Sequence, residues 1–243
     1  MMPRDNMTSL IQKIARQALT TFRNHSATGE SKIFLENHSK LRSLLSEVRA
    51  ADLRIVPRYA ERSSAPTPLH GPPVTYMHIC ETDSFSMGVF LLKHGTCIPL
   101  HDHPGMYGMI KVIYGKVRIS CFDRLGASPD GALQKSSMRP STRRSVGEYT
   151  EEDAPCVLSP YRDNIHQLEA VDGPTAFLDI LAPPYDPDGG RDCHYYKVLQ
   201  PASESAENKA EVPGHAEVWL AEIPQPGGFW CGSEPYPGPK VSL

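Results

Sequence analysis

Residues 95–115 read GTCIPLHDHPGMYGMIKVIYG. His101 and His103 stand two apart, so on an extended chain both side chains leave the same face. Two imidazoles on one face can share a single ion. Pro99, Leu100 and Pro104, followed by turn-forming Gly105 and Gly108, give that pair a rigid strand end in place of a floppy polar loop. The apolar runs that follow, MIKVIY (109–114) and KVRISCF (116–122), are strands by their β-branched and aromatic content.

The same texture continues on both sides, in VTYMHIC (74–80), FSMGVFLL (85–92), HQLEAV (166–171) and TAFLDIL (175–181). HGT, YGK, DGPT and PPYDPDGG punctuate these runs at the spacing of sandwiches and barrels, not of βαβ units. A mainly β core over 74–223 is expected. Ahead of it lies a Pro-rich connector, PRYAERSSAPTPLHGPP (57–73), and before that two stretches, 9–22 and 31–48, repeat apolar residues at helical spacing. Residues 1–52 are therefore an N-terminal helical segment. Residues 126–144 read as a long polar insertion, and 224–243, with repeated Pro and Gly, as an irregular tail. A length of 243 residues at 40% hydrophobic content suits one domain over 1–243.

A formal charge of −3 and a pI near 6.4 give no basic excess, so no nucleic-acid partner is expected. The longest apolar runs fall far short of the roughly 18 residues of a membrane span, which predicts a soluble chain with no membrane partner. Cysteines 80, 97, 121, 156, 193 and 231 form no CxxC pair and no dense disulfide pattern, which fits a reducing compartment and a cytoplasmic location. Residues 6–29 carry Lys13, Arg16 and Arg23 without an acid and faintly resemble a mitochondrial transit peptide; an amphipathic helix docked on the domain is the preferred reading.

The 95–115 stretch resembles the first cupin motif, G(x5)HxH(x3,4)E(x6)G, with Gly95 and Gly115 at its glycines. The acidic ligand is missing: its position falls on Tyr107 or Gly108. The second cupin motif, roughly PxGxxH, points to His166 in SPYRDNIHQLEA, although Pro160 is one residue too early and Asp163 stands at the glycine. His78 and His94 are the competitors for the third ligand. This resemblance implies a double-stranded β-helix, the jelly-roll barrel of the cupins, with N-terminal α-helices.

HDHPGM (101–106), YRDNIHQ (161–167), AFLDILAPPYD (176–186) and GRDCHYY (190–196), in this order, resemble the thiol dioxygenase family formed by 2-aminoethanethiol (cysteamine) dioxygenase and the plant cysteine oxidases. That resemblance implies Fe(II) on His101, His103 and His166. It also implies O2 as co-substrate, cysteamine or a protein N-terminal cysteine as the thiol, a sulfinic acid product and a part in oxygen sensing through N-terminal degradation signals. A thioether between Cys193 and Tyr195 is implied in the same way; a free cysteine beside a packed tyrosine is the alternative. From the residues themselves, Asp179 alternates with Leu178 and Ile180 and shares a face with Phe177 and Leu181. It is either a pocket carboxylate that receives a substrate ammonium or orients a histidine, or an acid on a solvent-facing sheet position. Tyr185, Cys193 and Tyr195 lie on a loop able to fold over the site, and Tyr107 is either a pocket donor or a core residue. The alternative function is a cupin that binds metal or ligand without turnover. A monomer is expected.

Overall fold

A computed structural model describes residues 8–23, 31–58, 71–125, 138–199 and 216–243. Two helices open it, α1 (Leu10–Phe22) and α2 (Lys32–Ser46). Each starts on a serine: Ser9 Oγ accepts the Gln12 N–H at 3.2 Å, and Ser31 Oγ accepts the Phe34 N–H at 3.1 Å. Such a side chain satisfies one of the N–H groups that the first helical turn leaves open. The apolar stripes Ile11, Ile14, Ala15, Ala18 and Phe34, Leu41, Leu45 are buried against one another and against the sheet.

Ten strands follow: β1 (Val74–Glu81), β2 (Ser86–Leu92), β3 (Cys97–His101), β4 (Tyr107–Arg124), β5 (Met138–Thr150), β6 (Cys156–Leu158), β7 (Ile165–Ala182), β8 (Tyr195–Leu199), β9 (Ala216–Ile223) and β10 (Cys231–Ser233). They pair in the order β10-β1-β2-β7-β3-β8-β9-β5-β4-β6, and a further β4–β7 ladder closes β7, β3, β8, β9, β5 and β4 into a barrel. The architecture is the mainly β, cupin-type barrel with N-terminal helices expected above.

The β4–β7 ladder explains how the barrel encloses a site. It runs from Tyr107↔Ala182 to Phe122↔Ile165 and passes through Cys121↔His166. Each strand has 18 residues, which if straight would span about 60 Å. Yet the rings of His103 and His166 lie 4.6 Å apart, and only three residues, at most about 14 Å of chain, separate His103 from Tyr107. Both strands must therefore turn a sharp corner and double back. The corner is where the register shifts, between Val112 and Lys116, and where Gly115 (φ 78°), Asp172 (φ 59°) and Gly173 (φ 141°) leave ordinary strand geometry. A Cβ on Gly115 would sit 2.5 Å from the Pro174 carbonyl oxygen, so no side chain fits there.

Alternation then sorts the faces. Ala176, Leu178, Ile180 and Ala182 meet the helices, together with Met77, Met87, Val89 and Met109. Ile110, Val112, Val117, Ile119, Leu168, Ala170 and Phe177, from both arms of the corner, pack together in the interior. Each such buried aliphatic or aromatic side chain contributes about 1.5–3 kcal/mol relative to exposure.

Several sequence expectations change. The runs 109–114 and 116–122 belong to one strand, as do 166–171 and 175–181, because YGK and DGPT form the corner and not a loop. Residues 138–144 of the expected insertion are the first half of β5, paired with β9 and β4, while 126–137 lie outside the described residues. β5 is half exposed, which hides its alternation. The tail contains β10, parallel to β1 through Val74↔Cys231. Of the connector, 59–70 lie outside the described residues.

Candidate metal centre

β3 ends at His101 and its register with β7 sets His101 opposite His166; His103 follows where the chain leaves the strand. One nitrogen from each of the three lies within 4.8 Å of the others, and the ring centroids are 4.6 to 4.9 Å apart. All three are buried. His94 and His78 are exposed on a turn and on β1, so neither joins them.

Backbone carbonyls hold two of the rings. His101 Nδ1 is 2.8 Å from the Pro99 oxygen, and His103 Nδ1 is 2.8 Å from the Asn164 oxygen. A carbonyl can only accept, so Nδ1 carries the hydrogen and the Nε2 lone pair is left for the ion. Burial lowers the pKa of all three; for His103, with its neighbour His101 adding to the effect, the value falls to about 3. The imidazoles are thus neutral and ready to coordinate without losing protons. Three neutral nitrogens on one side of an ion fit a divalent first-row metal and leave positions for other ligands. No carboxylate joins the set among the described residues.

Asn164 clamps His103. Its Oδ1 accepts the His103 N–H at 3.1 Å, and its Nδ2 donates to the His103 and Ser159 carbonyls at 2.7 and 3.0 Å. Asp163 has φ 55°, so the residue at the motif's glycine does adopt the left-handed backbone glycine would take, and its N–H donates to Asp123.

Asp102, between the two ligands, turns the opposite way and is fully buried. Its carboxylate accepts from Arg124 Nη2 (2.8 Å), the Tyr196 hydroxyl (2.9 Å) and the His194 N–H (2.9 Å), with His194 Nδ1 at 3.1 Å. The Tyr185 hydroxyl donates to the Asp102 carbonyl at 2.7 Å. Asp102 thereby ties the HxH segment to the 185–196 loop. Neither Asp102 nor Asn164 stood out in the sequence: the only local signal for Asp102 was its place between the histidines, and its partners are 22 to 94 residues away.

That network brings the loop residues in. The Tyr185 ring centroid is 5.7 Å from that of His103, and Tyr195, paired with His101 across β3–β8, has its ring 6.4 Å from His101's. The Cys193 thiol is within hydrogen-bonding reach of both tyrosine hydroxyls, and burial pushes its pKa up to about 11, so it stays protonated. Tyr107 points the other way, into Phe22, Phe34 and His38 under the helices, as a core residue.

Asp179 lies on the inner face of β7, opposite Gly88. The residue is half-buried, its buried Oδ1 has no hydrogen-bond partner, and desolvation raises its pKa to about 7. It lines a cavity of about 490 Å³ with Tyr76, Phe90, Leu181 and Tyr185, the tyrosine whose ring neighbours His103.

The PCO_ADO family matches residues 44–241. The chain is 58% identical to 2-aminoethanethiol dioxygenase of Mus musculus and 55% identical to that of Homo sapiens, in each case over 99% of both chains. It is 31% identical to plant cysteine oxidase 1 of Arabidopsis thaliana, over 75% of this chain and 64% of that one. On the extent of the family match and the full-length identity, this chain belongs to the PCO_ADO family.

Proposed function

We propose that the protein is a thiol dioxygenase that holds Fe(II) on His101, His103 and His166 and converts an aminothiol, cysteamine or a protein N-terminal cysteine, to a sulfinic acid with O2. The observation that carries this is the neutral ligand set beside a cavity whose buried polar group is a carboxylate. A carboxylate ligand about 4 Å from a bound thiolate would repel it by about 4 kcal/mol at an effective dielectric of 20. Three imidazoles avoid that. Bound Fe(II) supplies the meeting point for sulfur and O2 and the charge that favours thiolate over thiol.

The chain's own groups do the rest. Asp179, ionised, attracts the substrate ammonium and so orients the sulfur toward the histidines. Tyr185 closes the space beside His103 and excludes water. Cys193 and Tyr195 flank the histidines, and a thioether between them is part of the proposal, which intact mass would register as the loss of two hydrogens in that peptide. The cavity far exceeds a four-heavy-atom aminothiol and fits the first residues of a peptide as well. With a peptide substrate the reaction would mark an N-terminus for degradation in proportion to oxygen. A monomer in the cytoplasm, acting on neither nucleic acid nor membrane, completes the proposal.

Oxygen uptake by the Fe(II)-loaded protein, with mass analysis of the products from cysteamine and from a cysteine-initiated peptide, tests it. A gain of two oxygens on sulfur, both from labelled O2 and lost in His101→Ala, is expected. Metal binding without uptake for either thiol would leave a ligand-binding cupin.

A further inference from the structure

The cavity beside Tyr185 holds a carboxylate oxygen that the protein leaves unmatched, with hydroxyl-bearing side chains around it. Across β2 and β7, Ser86 faces Leu181, Gly88 faces Asp179 and Phe90 faces Phe177, so Ser86 and Asp179 are diagonal neighbours on the inner face. β1 adds Tyr76 opposite Phe90, with ring centroids 4.9 Å apart. The Tyr76 ring does not stop there. A Cβ placed on Gly88 would lie 2.3 Å from Tyr76 Cε2, Cζ and Oη, so the hydroxyl end of the ring lies flat on Gly88, in the space a side chain opposite Asp179 would fill. The phenol also feels the Asp179 charge directly.

Around the cavity, then, stand Asp179 Oδ1, Tyr76 Oη and Ser86 Oγ. Asp179 Oδ1 is buried without a partner, and Tyr76 and Ser86, both half-buried, line the same cavity. Phe90, Leu181 and Pro184 add apolar lining, and Glu81, Cys231 and Ser233 line it from exposed positions. Leaving a buried carboxylate oxygen unmatched is unfavourable, and with two hydroxyl-bearing neighbours lining the same cavity it is complementary to a ligand with several donors on one atom. A primary ammonium has three N–H donors and the charge that answers a carboxylate.

We propose that Tyr76 and Ser86 join Asp179 as a three-acceptor seat for a primary ammonium, and that Tyr76, admitted by Gly88, is the specificity-determining residue of the cavity. Asp179 supplies the charge. The two hydroxyls count the hydrogens: an N-methylated or tertiary ammonium keeps the charge but cannot donate to all three. This rests on the thiol dioxygenase reading for the identity of the ligand, and the test separates the two.

Wild-type protein, Tyr76→Phe, Ser86→Ala and Gly88→Ala are compared on cysteamine and on N,N-dimethylcysteamine. Anaerobic calorimetry gives binding, and oxygen uptake gives kcat/KM; metal content and thermal midpoint are measured alongside. Wild type should favour cysteamine about tenfold or more. Tyr76→Phe and Ser86→Ala should each cut that preference about fivefold by weakening cysteamine while leaving the dimethyl compound unchanged. Gly88→Ala should copy Tyr76→Phe by displacing the ring. Equal binding of the two amines by wild type, or an undiminished preference in both Tyr76→Phe and Ser86→Ala at normal metal content, would overturn the seat. The expected binding pattern without oxygen uptake would keep the seat and sink the dioxygenase.

Discussion

Replacing Asp179 by asparagine should make the protein more stable and less active, with a pH dependence that identifies the cause. Burial raises the Asp179 pKa from 3.8 to about 7. Below about pH 4 the carboxyl is protonated in both folded and unfolded chains and contributes nothing. Between about pH 4 and 7 the unfolded chain ionises while the folded chain holds the proton, so stability falls as pH rises; above about 7 the loss is complete. The rise from 3.8 to about 7 corresponds to a ceiling of about 4 kcal/mol. Asparagine has the same shape and never ionises. Metal-free Asp179→Asn should therefore melt higher than wild type at pH 8, by several degrees given about 2–4 °C per kcal/mol at this size, and the gap should close toward pH 4. The same substitution should cut kcat/KM for cysteamine about 30-fold or more, with metal content unchanged, because a buried charge loses its partner. Thermal melts at pH 4, 6 and 8 on chelated protein, with oxygen uptake on the loaded protein, make the comparison. Identical melts at every pH, or a variant less stable at pH 8, would refute the argument that Asp179 is an uncompensated buried acid.

Asn164→Ala removes the side chain that grips His103 from both sides and should weaken metal binding about 10- to 100-fold, read by chelator competition. Asp102→Ala strands Arg124, Tyr196 and the His194 N–H and should destabilise by about 3 kcal/mol or more in urea melts, whereas Tyr196→Phe, which removes one donor, should cost about 1 kcal/mol. Gly115→Ala places a Cβ against the Pro174 carbonyl at positive φ; a soluble protein with unchanged midpoint would contradict the corner described for β4 and β7.

Two of the ligands were legible because their signal is local, and His166 was reached through the motif resemblance. His101 and His103 were paired by their spacing alone, and the helices announced themselves by a 3.6-residue period. Asp179 was visible as an acid on an apolar face. What stayed hidden depends on distant chain. Nothing near Asp102 tells that Arg124, Tyr196 and His194 will converge on it, and Asn164 matters only because β7 is brought against the HxH segment. Local turn chemistry also misled: YGK and DGPT are good turn signals, yet the ladder bends through both without letting go. β5 was missed because arginine, serine and glutamate fill a strand whose outer face meets solvent.

The doubled β4–β7 ladder makes the molecule a caliper. His166 lies seven positions before Gly173 and Asp179 six after it, so the two stand at nearly the same height on opposing arms of one bent strand. The separation of His166 from Asp179 is consequently governed by the curvature at Gly115 and Gly173, within the sheet. A jaw of fixed width discriminates by length. The two-carbon spacing of sulfur and nitrogen in cysteamine and in an N-terminal cysteine is the kind of dimension such a jaw can gauge, and the glycines of the corner, remote from either reacting group, hold its setting.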